Sequence, residues 1–153
     1  MSPCPLLAGA LGQKPSGRLQ LSKAREDHLS HISRLELEIQ DLEDLKRACS
    51  RLGVDFIENQ KTFRWYGGTK ECECAIRVPG ATYEIGVVRE SSRFALVWDS
   101  YRAGGLEAKF GKNAGLLKQA YAVERVRREA ILKGYRVHEK KSEASIRVHL
   151  TIH

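Results

Sequence analysis

The chain has 153 residues, 42% hydrophobic and 29% charged, which is the composition of a soluble globular domain large enough to bury a core without disulfide or metal support. No apolar run approaches the roughly 20 residues that cross a bilayer, which excludes a membrane-spanning helix. The formal net charge is +7 and unevenly placed. Residues 29–113 hold 13 basic and 13 acidic side chains, whereas 114–133 hold five and two, and 134–153 and 1–28 each hold four and two. A surplus at the two ends allows contact with nucleic acid or an acidic protein surface and requires neither.

Residues 1–28 contain three of the four prolines and show no periodicity, so they are expected to form a disordered arm. Within them PLLAGALG, residues 5–12, lacks a preceding basic region and a following lipid-attachment cysteine, and is not read as a targeting peptide. The domain is assigned to 29–153. From Ser30 the pattern alternates, with His31, Ser33, Leu35, Leu37 and Ile39 on one side of a predicted first strand. Asp41, with Asp44 three residues on, opens a predicted helix whose Leu42, Leu45, Ala48 and Leu52 recur at helical spacing until Gly53 ends it.

VDFIEN and TFRWYG read as two short strands able to pair as a hairpin, with Gly67 and Gly68 closing the second. CECAIRV, TYEIGVV and RFALVWD, separated by turn residues, predict an antiparallel meander. The glycines at 104 and 105 read as a flexible loop. Asn113 is placed as the cap of a long helix from about Ala114 to Leu132, ended by Gly134, after which YRVHE and ASIRVHLTI predict a final hairpin. The order implies an α+β fold, a mostly antiparallel sheet with two helices on one face, for which a ferredoxin-like arrangement is the first expectation.

The opening SHISRLELEIQDLEDLKRACSRLG, the YGG before AIRVPG, the strands YEIGVVR and ALVWDSY, and LLKQAYAVERVRREAILKGY followed by SIRVHL together resemble one family over about residues 30–152. It is the domain of unknown function 1257 family, also called the hypothetical chloroplast reading frame 35 family. The resemblance implies a small soluble protein without a catalytic motif to carry over, and suggests an adaptor to an AAA-type ATPase. Family members typically begin with methionine before a serine-histidine pair, and here Leu29 precedes Ser30 and His31. Because alternative bacterial start codons encode leucine internally, translation from Leu29, with 1–28 a misreading of the start, is expected beside the reading of 1–28 as a real basic arm.

Cys4, Cys49, Cys72 and Cys74 are read as reduced thiols in a cytoplasmic protein, since the chain has no secretory signal and is too large to need stapling. Cys72 and Cys74 would share a strand face with Ile76 and Val78, and no second cysteine pair completes a zinc site, so core packing is expected over redox or metal chemistry. The histidines show no metal-ligand spacing, and no nucleophile elbow, P-loop or dinucleotide motif is found, so no catalytic residue, metal or cofactor is assigned.

The long helix carries the binding candidates. Measured from Leu116, Arg127 falls inside a stripe of Ala120, Val123, Ala130 and Ile131. Its head must reach water, meet a carboxylate such as Asp99 or Glu84, or face an anion in a pocket. Lys118, Arg125, Arg128 and Lys133 form a basic face with Tyr121 among them, read either as solvated surface or as contact for RNA or an acidic partner. Asp99 and Tyr101 in the WDSY segment add a displayed loop. The leading expectation is an accessory protein that binds a macromolecular partner through this helix face and loop. The alternatives are an RNA-binding module and an enzyme with an anion pocket around Arg127, Asp99, Glu84 and Tyr121.

Overall fold

A computed structural model describes residues 32–152. The expectations for the 1–28 arm, the start at Leu29, Cys4, His28, His31 and His153 lie outside these residues. Strand β1 (Ile32–Ile39) leads into helix α1 (Leu42–Leu52), followed by β2 (Asp55–Ile57), β3 (Thr62–Trp65), β4 (Gly68–Glu71), β5 (Cys74–Arg77), β6 (Glu84–Glu90) and β7 (Arg93–Asp99). The short helix α2 (Leu106–Phe110), the long helix α3 (Gly115–Leu132), and strands β8 (Arg136–Lys141) and β9 (Ile146–Thr151) complete the order.

Helix α1 forms where its sequence says it should. The Asp41 carboxylate accepts the Glu43 N–H at 2.8 Å, and Gly53 takes the left-handed conformation at φ 71° that ends the helix without a Cβ clash. Its apolar side meets a five-stranded sheet of order β1-β7-β6-β5-β2 in which each neighbouring pair is antiparallel. This α+β architecture lacks the ferredoxin-like order. A split βαβ unit needs parallel strands, whereas β1 lies at the sheet edge and pairs antiparallel with β7.

The two faces of the sheet follow from strand alternation. Ile76, Ile85, Val87, Leu96 and Trp98 point to one side and join Leu45, Ala48, Leu106, Phe110, Leu117 and Ala120 in the main core, so the helices share that face. Glu84, Gly86, Ala95 and Asp99 point to the other. There a two-stranded ribbon of β3 and β4 is laid across the sheet, with the buried Phe63 ring where a Gly86 Cβ would stand 2.3 Å from it. The expected β2–β3 hairpin therefore does not form. β2 pairs with β5, and β3 pairs with GTKE, a strand the composition of residues 68–71 conceals.

Three further expectations change. The glycines at 104 and 105, expected to be a flexible loop, end a 3₁₀ turn over Arg102–Gly104 and lead into α2. Asn113 provides no side-chain cap. The chain enters α3 through left-handed Gly111, Asn113 and Ala114 at φ 78°, 55° and 55°. The buried stripe of α3 runs through Leu117, Ala120, Tyr121, Val123, Glu124 and Ala130, leaving Leu116, Val126, Ile131 and Leu132 exposed. Counting apolar residues misplaces it because the seam against α1 is partly ionic: Arg51 binds Glu124 at 2.7 Å, and Arg128 pairs with Asp41.

Candidate functional site

The most organised surface feature lies at the tip of the β3–β4 ribbon. Pairing of Trp65 with Gly68 leaves Tyr66 and Gly67 as a two-residue loop, the commonest length for a tight hairpin. The Trp65 indole folds over Gly67, where a Cβ would lie 2.3 Å from the ring, and the Lys70 ammonium sits 5.3 Å from the same ring centroid. Tyr66 is thus held at a stiff turn with 62% of its surface exposed.

Two buried carboxylates fasten this ribbon. Along β3, alternate N–H groups pair with β4 while those of Arg64 and Tyr66 face the sheet at part-buried positions. Glu84 Oε2 accepts the Arg64 N–H at 3.0 Å and Asp99 Oδ2 accepts the Tyr66 N–H at 2.9 Å. Extending the β6–β7 register places Glu84 and Asp99 directly opposite each other. Glu84 also takes Gln60 Nε2 at 2.8 Å and Arg77 Nε at 3.2 Å.

The second oxygen of Asp99 accepts the Tyr101 N–H at 2.9 Å, so one buried side chain positions both tyrosines. Their rings meet edge to face, centroids 5.5 Å apart at 72°. Tyr83 completes the cluster. Desolvation, and next the Asp99 carboxylate, push its phenol above the ordinary tyrosine value. Gly104 makes room for it, since a Cβ there would lie 2.1 Å from Tyr83 Cδ2. Tyr101 is 39% exposed, and with Tyr66 it forms an aromatic pair open to solvent on a fixed backbone.

Among the residues predicted from sequence, Asp99 and Tyr101 come together here. The helix candidates do not join them. Arg127 is 51% exposed on the side chain and pairs with Glu139 at 3.5 Å, meeting neither Asp99 nor Glu84. Tyr121 is buried rather than displayed, its hydroxyl accepting the Gln40 N–H at 3.0 Å. Arg128 is drawn inward to Asp41 and lies 3.3 Å from the buried Asp44. Lys118 and Arg125 are half-buried and Lys133 is exposed. The group proposed for an anion pocket is therefore distributed over three places in the fold.

Tyr66 and Tyr83 were absent from the sequence-based candidates. The dipeptide Gly67-Gly68 is the signal that could have found Tyr66, read as a hairpin turn rather than a strand end. Of the paired cysteines, Cys74 enters the core, and burial raises its thiol. Cys72 lies just outside the strand, and burial pushes its thiol up to about 11. Burial likewise raises Cys49 to about 12, so none of the three is set up as a thiolate nucleophile at neutral pH. No helix among the described residues is long and apolar enough to cross a membrane.

A family model described as protein of unknown function (DUF1257) matches residues 48–151, which include the ribbon, both carboxylates and the three tyrosines. No curated protein and no solved structure matches the chain.

Proposed function

We propose a function on the premise that the chain belongs to the DUF1257 family of proteins of unknown function. It is a non-catalytic binding module that docks a protein partner through the Tyr66–Tyr101 pair. The observation that carries this reading is the clamp at Asp99, whose two oxygens hold the backbone of both tyrosines while their rings stay exposed. Tyrosine supplies a large amphipathic contact with few rotatable bonds, and pre-positioning its backbone removes part of the ordering cost of association. The resemblance to a family associated with AAA-type ATPases suggests such a machine as the partner.

The test is a pulldown from cells at natural expression level, with and without nuclease, comparing the parent chain with Tyr66→Ala/Tyr101→Ala. A stoichiometric protein partner should survive nuclease and be lost from the double variant. Each anchor is expected to contribute about 2 kcal/mol, or about 30-fold in Kd. Retention of the partner by a folded double variant would refute the assigned surface.

A further inference from the structure

The terminal hairpin offers a second surface of different chemistry. Its register places Arg136 opposite Thr151, His138 opposite His149 and Lys140 opposite Arg147, and alternation puts these six side chains on one face. All six residues are exposed. The opposite face carries Val137, Val148 and Leu150 together with Glu139, whose carboxylate is taken by Arg51 at 2.8 Å and by Arg127. The strands' acidic side chain is thus turned inward and neutralised, and the described side chains of the outer face are Arg136, Lys140, Arg147, two imidazoles and a threonine.

The tip repeats this chemistry at closer range. The turn is closed by the Ser142 N–H donating to the Ser145 carbonyl at 2.9 Å, and the two hydroxyl oxygens lie 2.7 Å apart. Lys140 and Arg147 flank them, and the four residues line a cavity of about 210 Å³. Ammonium and guanidinium converge on this small space as a donor pair suited to phosphate oxygens, beside hydroxyls of which Ser142 already donates to the Ser145 carbonyl at 3.1 Å.

We propose that the outer face of the β8–β9 hairpin binds the phosphodiester backbone of duplex nucleic acid, with a phosphate seated at the tip between Lys140 and Arg147. A two-stranded ribbon fits a DNA major groove about 12 Å wide, and Lys140 and Arg147 stand directly opposite each other across its strands. The face holds no tyrosine, tryptophan or phenylalanine on which unpaired bases could stack, which favours a duplex backbone over a single strand. It also lacks the apolar centre on which stable protein interfaces depend, which disfavours an acidic protein.

The experiment titrates the full chain against labelled 20-base-pair DNA, RNA of the same length and the single strands, from 50 to 300 mM salt, with polyaspartate as competitor. Binding to a duplex should weaken with log salt at a slope near −1.8 for the two phosphates neutralised by Lys140 and Arg147. Lys140→Ala/Arg147→Ala should reduce that slope by about 1.8 and weaken binding by about 60-fold at 0.1 M salt. A thermal melt checks that this doubly exposed substitution leaves the fold intact, and preference for DNA or RNA duplex identifies the source of the backbone. Binding unchanged in the double variant, binding stronger to single strands, or equal displacement by polyaspartate at matched charge would each overturn the proposal.

Discussion

Replacing Asp99 tests the clamp directly. In Asp99→Ala the N–H groups of Tyr66 and Tyr101, each now donating at 2.9 Å in a part-buried bond, lose an acceptor that is itself fully buried. Leaving a buried donor unsatisfied costs about 1–3 kcal/mol, so two cost about 2–6 kcal/mol before local rearrangement admits water. About 3 kcal/mol is a reasonable outcome against a total stability of about 5–15 kcal/mol, and would lower Tm by about 10 °C. Asp99→Asn retains one acceptor oxygen but aims an amide donor at the other N–H, so it should lose at least one of the two bonds.

Urea unfolding at pH 7 measures the global cost, and amide hydrogen exchange locates it. Protection should fall at Tyr66 and Tyr101 in both variants while Ile85, Val87 and Leu96 keep theirs, because the helix-side core is untouched. Partner capture should weaken along with that protection. If Asp99→Ala stays within about 0.5 kcal/mol of the parent, or if exchange at the two tyrosines is unchanged, the carboxylate is not what positions them.

Gly104→Ala should cost about 1–3 kcal/mol by driving a Cβ into the Tyr83 ring, and a double-mutant cycle with Tyr83→Ala should recover most of it; additive losses would rule out that contact as the cause. Glu139 has its carboxyl held below the usual value of 4.5, first by the Arg51 hydrogen bond, so its stabilisation is present above about pH 4.5 and is lost as pH falls through the depressed folded value. An acid titration followed at the hairpin amides should show this loosening, and Arg51→Met should remove it. Burial raises the Asp44 carboxyl, with Arg128 opposing, so the charged form weakens the fold above the unfolded pKa near 3.8 and that cost disappears as pH falls below the two values. Asp44→Asn should therefore melt at or above the parent temperature at pH 7, with the advantage shrinking in acid; a loss above about 1 kcal/mol at pH 7 would contradict this.

Elements whose signals are local were legible in the sequence. The Asp41 cap, the Gly53 stop, the β5–β6–β7 meander and the terminal hairpin all depend on turn chemistry and alternation within a few residues. What escaped was anything decided at long range by polar groups. GTKE has no hydrophobic alternation because β4 borrows its stability from β3, and the facing of α3 was lost because Glu124 and Arg128 are interface residues. The WDSY segment reads as a displayed loop, yet Asp99 is buried and only its consequence, the tyrosine pair, is displayed.

Buried carboxylates decide the placement of these segments, which bears on function. Glu84 and Asp99 hold the ribbon, Glu124 holds Arg51 and through it Glu139 of the hairpin, and Asp44 lies under Arg128 at the helix seam. Of the segments tied this way, the ribbon and the hairpin bury few apolar side chains of their own, Phe63 being the main one. A two-stranded ribbon is marginal by itself, so its place is set by directional bonds rather than by hydrophobic area. Buried charges are weak sources of net stability but strong sources of specificity when one geometry satisfies them. Both proposed surfaces, the tyrosine tip and the basic hairpin, lie on segments tethered in this manner. Changing a tethering carboxylate should therefore displace a surface more than it unfolds the core, and loss of binding should precede loss of fold along a denaturant titration.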